Sequence, residues 1–336
     1  MKLRTFAMVL LPIALAIFVQ AQDQPTAESR ARALEVLKQA REALGGEAAL
    51  SALKSLQVQG DVKTMRGERP LQGDFRIELL LPDKYLRTTT MTMGMMDMTF
   101  TQAVNGPEAW TDMKQSMRMS ADSGVGGGMG GGGGMGGGGM GGGGMGGGGG
   151  MGGGGRGRGG MGGGMGMPPG GGGRGGMRPM SPEAEDAMRR EARADFARMV
   201  IGLLLIAPQS ASPFEFSYEK ELDAKEGKAD VLRVLGPEQF GMFLLFDQKT
   251  HRPWMLTWRA PAPRTGRPGD TPTDAEEAEP RMIDYQLFFS DHKPEGGLQL
   301  PHRVARVVNG QVVEEWKLNK FKINPDLKPN RFEKKK

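Results

Sequence analysis

Apolar residues recur every three or four positions in two long segments, which is the spacing of one face of an α-helix. In the first segment, TAESRARALEVLKQAREAL (26–44), the glycines at 45 and 46 provide a stop signal. In the second, the hydroxyl of Ser181 can accept a backbone N–H, and Pro182 suits the first helical position. The pattern predicts amphipathic helices over 27–44 and 182–206, with a short helical link near 47–53.

Alternation of apolar and polar residues, typical of β-strands, occupies most of the remaining chain. Asn309 and Gly310 suit a tight hairpin turn between two of these segments. Because strands and helices do not alternate, the pattern predicts an α+β domain with an antiparallel sheet of about 11 strands. The alternating segments are 56–65, 71–82, 85–94, 96–106, 109–119, 214–222, 228–236, 240–248, 252–260, 282–291, 298–308 and 312–324.

One strand departs from this alternation, because every residue from Met242 to Phe246 is apolar. A strand that faces water on one side should alternate, so both faces of this strand must be covered. If a helix covers one face of this strand, two alternatives remain for the other face. That face lines a cavity, or it belongs to a second apolar core.

Composition divides the 336-residue chain further. Residues 1–21 combine Lys2 and Arg4 with a short apolar run, which is the layout of a secretory signal peptide; the run is too short to span a bilayer. Of the 55 glycines, 39 lie between 124 and 180, so 121–180 is predicted to be a disordered insert within one domain. That domain comprises 22–120 and 181–330, with a disordered loop at 261–280 and a basic tail at 331–336.

Net charge and cysteine content indicate which partners and which cellular compartment to expect. The formal charge is +5, and removal of Lys2 and Arg4 with the signal peptide lowers it to about +3, which does not indicate nucleic-acid binding. With no cysteine, the chain has neither disulfides nor a thiol nucleophile. We expect a soluble protein of a bacterial periplasm.

Residues suited to catalysis are sparse in this sequence. The chain has three histidines, at 251, 292 and 302, and their spacing is not that of a metal-binding motif. The glycine tract lacks the lysine followed by Ser or Thr that a phosphate-binding loop needs, and it lacks aromatic residues for stacking on RNA. We therefore expect no enzymatic activity, no cofactor and no nucleic-acid partner.

Methionine is the remaining side chain with distinctive chemistry. Ten methionines lie between 129 and 180, and five more are clustered at Met91, Met93, Met95, Met96 and Met98. Thioethers are soft ligands that select Cu(I). Binding of Cu(I) is therefore one interpretation of these methionines. The other is that the glycine-rich segment is a spacer that binds no ligand.

Several short stretches resemble the outer-membrane lipoprotein-sorting family, the LolA-like carriers and their exported relatives. They are LLPDKYLRTTTMTMG (80–94), NGPEAW (105–110), FDQKTHRPWMLTW (246–258), GGLQLPHRV (296–304) and FKINPDLKPNRFEK (321–334). The resemblance implies a strongly curved antiparallel sheet, a half-open barrel, whose apolar concave face is capped by the two helices and holds acyl chains. No residue here clearly matches the arginine that controls closing of the cavity in that family.

These observations lead to one functional prediction and two alternatives. We expect a periplasmic, non-enzymatic carrier that holds a lipid or lipoprotein acyl chain in an apolar cavity and meets envelope protein partners transiently. The alternatives are a methionine-based Cu(I)-binding envelope protein and an envelope scaffold without cargo. The residues predicted to line or cover the cavity are Ile77, Leu79, Leu81, Trp110, Phe196, Leu203, Leu204, Phe243, Leu245, Trp254 and Leu256.

Overall fold

The computed structural model describes residues 25–66, 69–117, 182–208, 213–224, 227–262 and 281–334. They form a single antiparallel sheet of twelve strands with the order β5-β4-β3-β2-β1-β12-β11-β10-β9-β8-β7-β6, and three α-helices. The α+β class and the antiparallel sheet of about 11 strands are confirmed, and the twelve strands correspond to the twelve alternating segments. The predicted signal peptide, the glycine-rich insert and most of the 261–280 loop lie outside the described residues.

The elements follow the predicted segments closely. The helices are α1 (Ala27–Leu44), α2 (Gly46–Ser51) and α3 (Pro182–Leu204), and a 3-10 helix spans Pro329–Phe332. The strands are β1 (Ser55–Arg66), β2 (Arg69–Leu80), β3 (Lys84–Met93), β4 (Met96–Asn105), β5 (Glu108–Met117), β6 (Glu215–Ala224), β7 (Gly227–Leu235), β8 (Gly241–Asp247), β9 (Pro253–Pro261), β10 (Met282–Glu295), β11 (Leu298–Val308) and β12 (Gln311–Ile323).

Pairing of β1 with β12 joins the segments that precede and follow the insert. Val58 lies opposite Phe321, and Val62 lies opposite Trp316. Every other neighbouring pair of strands is consecutive in the chain. The two halves of the sequence therefore build one sheet, with β5 and β6 at its edges.

All three helices pack on the same side of the sheet, which we call the inner face. The N-terminus of α1 is capped by the Thr26 side chain, which accepts from the Ser29 backbone N–H at 3.1 Å, and α1 lies against β6 and β11. Helix α3 contacts β4 and β5 at one edge and β9 towards the other. Ala40, Phe196 and Leu204 join inner-face strand residues in one buried group, the inner cluster.

The opposite, outer face carries a second apolar group in the half of the sheet that contains β8. Leu244 and Leu256 lie opposite each other in the inner cluster, and the next pair of partners, Leu245 and Met255, points the other way. The outer cluster comprises Ala229, Val231, Phe243, Leu245, Met255, Phe288 and Val307. Of the two alternatives for β8, the structure shows a core on both faces.

The sheet is strongly curved, because an ion pair crosses its inner side. Arg87 on β3 and Glu314 on β12 are separated by two intervening strands, β2 and β1. Their side chains nevertheless meet, with Arg87 Nη2 3.0 Å from Glu314 Oε1. Such a contact requires β3 and β12 to face each other across a concave interior.

The C-terminal segment differs from the predicted basic tail at its first residues. Arg331 donates to both carboxylate oxygens of Glu78, at 3.0 and 2.8 Å. Phe332 is fully buried, and its carbonyl accepts from the Trp110 indole N–H at 2.9 Å. The chain thus remains packed against the sheet through residue 332.

Candidate ligand-binding face

The inner face gathers most of the residues predicted to line a cavity. Ile77 and Leu79 on β2, Leu256 on β9, and Phe196, Leu203 and Leu204 on α3 all belong to the inner cluster, and Leu81 packs against it. The six cluster members are at most 3% exposed. Under α3, the inner face is therefore occupied by the protein's own side chains.

The other four predicted residues lie elsewhere. Phe243 and Leu245 belong to the outer cluster, and Trp254 packs against it. Trp110 belongs to the outer face beside the C-terminal segment, since its neighbour Ala109 is in the inner cluster. The eleven residues therefore do not form one group, and these four cannot line an inner cavity.

A methionine-rich surface extends from the inner cluster along β3, β4 and β5. Met91 is a buried member of the inner cluster. Met98 lies opposite Met91, and Met113 lies opposite Phe100, so these side chains are on the inner face of the sheet. Four of its side chains are exposed by 37 to 80%. We call Met93, Met96, Met98, Phe100, Met113 and Met117 the methionine patch.

Helix α3 is held across the inner face by one arginine. The Arg193 guanidinium donates to the carbonyl of Pro107, in the β4–β5 turn, at 3.0 Å. It also donates to both oxygens of Glu238, in the β7–β8 turn, at 2.7 and 2.8 Å. These contacts, the Arg193 bridge, connect α3 to both halves of the sheet.

The two ends of α3 differ in how closely they pack. Residues 185–191 are all exposed, whereas burial begins at Ala192. Near the C-terminal end, a Cβ added to Gly202 would lie 2.7 Å from Phe289 Cζ and 2.8 Å from Leu256 Cδ2. The helix thus approaches β9 and β10 so closely that only glycine fits there without a shift of its neighbours.

Charged groups are buried on the inner face together with aromatic rings. The Arg87 guanidinium lies 4.4 Å from the ring centroid of Trp316 and pairs with Glu314. Burial alone would lower the pKa of Arg87, but the Glu314 carboxylate, together with smaller contributions from Tyr85 and Asp195, more than offsets burial and holds that pKa above its usual value. For the Tyr85 hydroxyl, burial has the opposite effect and raises the pKa above its usual value. Arg87 therefore stays charged, and Tyr85 stays neutral.

A second group of buried donors surrounds Trp258. The guanidinium carbons of Arg198 and Arg306 lie 4.4 and 6.0 Å from its ring centroid, and the Tyr285 ring stacks on it at 5.2 Å. Within the described part of the chain, the Nε atoms of both arginines and the Trp258 indole N–H are buried without a hydrogen-bond partner. This donor group can satisfy an acceptor that enters the inner face.

Two cavities lie away from the donor group and the methionine patch. One, of about 450 Å³, is lined by polar residues of β1, β2, β3 and β12 on the outer face. Charged side chains that line this cavity already have partners within the protein. Arg331 donates to Glu78, and Asn319 donates to Asp61 at 2.8 Å. The other, of about 300 Å³, lies near His292 and Arg252. Burial, followed by the Arg252 charge, lowers the pKa of His292 to about 4.

Neither a metal-binding carboxylate–histidine group nor a membrane-crossing helix occurs in the described part of the chain. Residues 25–66, 69–117, 182–208, 213–224, 227–262 and 281–334 contain no group of three or more His, Asp or Glu side chains placed to hold a metal ion. None of the helices in those ranges is both long and apolar enough to cross a lipid bilayer.

Sequence reasoning missed the Arg193 bridge and the donor group. Their partners are distant in the chain: Arg193 contacts turns that begin near 106 and 236, and Arg306 joins Trp258 through strand pairing. The methionine patch left a clearer signal. The turn at Gly94 and Met95 predicts that Met93 faces Met96 and that Met91 faces Met98 across a hairpin.

Comparison with solved structures finds distant similarity over most of the chain. A LolA superfamily protein from Nitrosomonas europaea is similar over 90% of this chain and 97% of its own, with 10% identity and a TM-score of 0.45. A candidate outer membrane lipoprotein-sorting domain from Vibrio parahaemolyticus covers 89% and 97%, with 10% identity and a TM-score of 0.41. A DUF1329 family protein from Desulfovibrio piger covers 90% and 97%, with 9% identity and a TM-score of 0.40. No protein-family model and no curated protein matches the chain.

Proposed function

We propose that this protein is a periplasmic, non-enzymatic carrier that binds an acyl chain of a lipid or lipoprotein on the inner face of its sheet. One observation carries the proposal: the inner cluster reaches the methionine patch through Met91, which lies opposite Met98, and side chains of the patch such as Met117 are up to 80% exposed. Exposed apolar surface of this kind marks a binding site in a protein that must stay in solution. Methionine side chains suit such a site because they are flexible and adapt to the shape of the ligand.

The acyl chain would start on the methionine patch and extend under α3. Burial of one methylene is worth about 0.8 kcal/mol, so about ten buried methylenes contribute about 8 kcal/mol, equivalent to micromolar affinity before any cost. Movement of α3 must be subtracted from this gain. The Arg193 bridge is partly exposed, with 28% of the Arg193 side chain and 44% of the Glu238 side chain accessible, so it opposes the movement by about 1 kcal/mol or less.

The polar end of the ligand has acceptor chemistry that suits the donor group around Trp258. A carboxylate, ester or phosphate oxygen accepts hydrogen bonds, and the donor group has three buried N–H groups to satisfy. Because Trp258 itself belongs to the inner cluster, acyl chain and polar end can be bound side by side. The donor group needs neither cofactor nor catalytic side chain for this role.

Native mass spectrometry of the full chain, purified gently from a bacterial periplasm, tests the proposal. We expect a bound lipid that survives transfer, and at least tenfold less of it in Phe100→Asp, which places a charge within the methionine patch. Met65→Asp is the matched control, because Met65 is 39% exposed but lies on the outer face of β1. Its neighbour Thr64 lies opposite Glu314 on the inner face, and successive strand residues alternate between faces. A wild-type protein without lipid, or equal losses in both variants, would contradict the proposal.

A further inference from the structure

The hairpin formed by β3 and β4 brings thioether side chains together at its tip. Met93 lies directly opposite Met96, and Met91 lies directly opposite Met98. The third strand adds another methionine, because Met117 on β5 lies opposite Met96. Three of these residues, Met93, Met96 and Met117, therefore form one row across three adjacent strands.

The spacing within this group suits a single small ion. Directly opposite residues have Cβ atoms about 4.5–5.5 Å apart, and residues two positions apart on one strand, such as Met96 and Met98, lie about 6.7 Å apart on the same face. Rotation about the Cα–Cβ and Cβ–Cγ bonds of each methionine moves its sulfur by several ångströms, so the sulfur atoms can approach a common point.

Exposure separates the side chains that can turn towards an ion from those that cannot. Met96 and Met117 are 37% and 80% exposed, and Met93 and Met98 are half-buried. Met91 is only 8% exposed and packs in the inner cluster against Gly73. Met95 is 76% exposed but belongs to the turn rather than to the paired strands. The convergent set is Met93, Met96, Met98 and Met117.

We infer that these four methionines form a binding site for Cu(I). A site composed of thioethers alone selects a soft monovalent ion, whereas Zn²⁺ prefers imidazole or thiolate and Mg²⁺ prefers oxygen ligands. The one carboxylate within the run 96–98, Asp97, alternates to the opposite face, where it accepts from Thr92 Oγ1 at 2.8 Å. Gln115, opposite Met98 on β5, adds a neutral amide to this face, but a soft ion such as Cu(I) prefers the thioethers to an amide oxygen.

The four methionines also belong to the methionine patch of the proposed lipid site, and leucine substitution removes their sulfur without removing their apolar surface. Leucine resembles methionine in volume and apolarity but lacks the sulfur. Met93→Leu/Met96→Leu/Met98→Leu should therefore lose copper, while the protein stays folded with an apolar surface of similar size. Three exposed methionines outside the group provide a control with the same number of substitutions: Met65→Leu/Met188→Leu/Met282→Leu.

Competition with a colorimetric Cu(I) chelator under anaerobic, reducing conditions measures the affinity of the full chain. Because ten more methionines lie between 129 and 180, a second background replaces those ten by leucine. We expect the hairpin triple variant to bind Cu(I) at least tenfold more weakly in both backgrounds, and the control triple to bind as the parent does. X-ray absorption of the copper complex in the second background should show sulfur neighbours alone.

Three results would overturn the inference. The hairpin triple variant binds Cu(I) as tightly as the control; replacing the ten methionines abolishes binding by itself; or nitrogen and oxygen neighbours surround the copper. Thermal unfolding of each variant identifies a loss of binding that merely reflects unfolding. A parent protein that binds Cu(I) at the hairpin but carries no lipid would instead contradict the carrier proposal alone.

Discussion

Removal of the Glu314 charge by Glu314→Gln tests whether the ion pair across the inner face stabilises the curved sheet. The side chains of Arg87 and Glu314 are 17% and 12% exposed, so each charge is largely removed from water. Arg306 also faces Glu314, directly opposite on β11. Glu314→Gln therefore leaves two arginines on the inner face without the carboxylate between them.

The size of the effect depends on which partner is removed. Breaking a buried ion pair costs about 3–5 kcal/mol, and we expect Glu314→Gln to fall within that range because no other carboxylate lies opposite Arg306 in the strand register. Arg87→Met should cost less, about 2 kcal/mol, since Glu314 can turn towards Arg306. The main interaction lost in Arg87→Met is the cation–π contact between Arg87 and Trp316. The double variant should cost clearly less than the sum of the two, because it leaves only Arg306 without the carboxylate, whereas Glu314→Gln leaves both arginines without it.

Urea unfolding at pH 7, followed by circular dichroism, measures these free energies, with the slope m confirming that the compactness of the two states is unchanged. In a domain of this size, 4 kcal/mol corresponds to a fall of about 8–16 °C in Tm. A Glu314→Gln variant within 1 kcal/mol of the parent would refute the reasoning. Strictly additive single variants would refute it as well.

Three further predictions concern other parts of the molecule. Arg331→Ala should cost about 2 kcal/mol in urea unfolding, because Glu78 is fully buried but still accepts from the Gln57 amide at 2.8 Å. Glu78→Gln should cost about 1 kcal/mol, since Arg331 is 45% exposed and can turn to water; equal costs would contradict this order. Phe332→Ala should cost about 3–5 kcal/mol in the same assay, and a value under 1 kcal/mol would show that the segment is not packed. Since the pKa of His292 is about 4 in the folded chain but 6.5 in the unfolded one, the unfolded chain binds the extra proton between these values, and stability should fall as pH falls from 6.5 to 4. His292→Gln should flatten that pH dependence, and an unchanged slope would contradict the prediction.

Helices, strand positions and sheet class were predictable from the sequence because each rests on local spacing. Helix α1 spans 27–44 as predicted, and α3 ends only two residues before the predicted 206. These segments have clear periodicity and strong end signals, such as Thr26 and Gly45. The strand order could also be anticipated in part, since antiparallel neighbours follow each other along the chain.

The face on which each strand residue lies was harder to predict. In β8, Phe243 and Leu245 are as apolar as Met242 and Leu244, so alternation cannot assign either pair to the inner face. Phe332 was missed for another reason. It lies among lysines and arginines, which predicts a solvated tail, and its burial depends on contacts with residues more than 200 positions away.

The central claim, that an acyl chain binds on the inner face, can be tested with the protein's own tryptophans. Trp258 and Trp316 belong to the inner cluster, whereas Trp254 packs against the outer cluster and Trp110 against the C-terminal segment. Brominated acyl chains quench tryptophan fluorescence at short range. In Trp110→Phe/Trp254→Phe, the two inner tryptophans should be quenched in a saturable manner by a brominated fatty acid. In Trp258→Phe/Trp316→Phe, the outer pair should keep its fluorescence. Quenching of the outer pair alone, or of neither pair, would contradict the account.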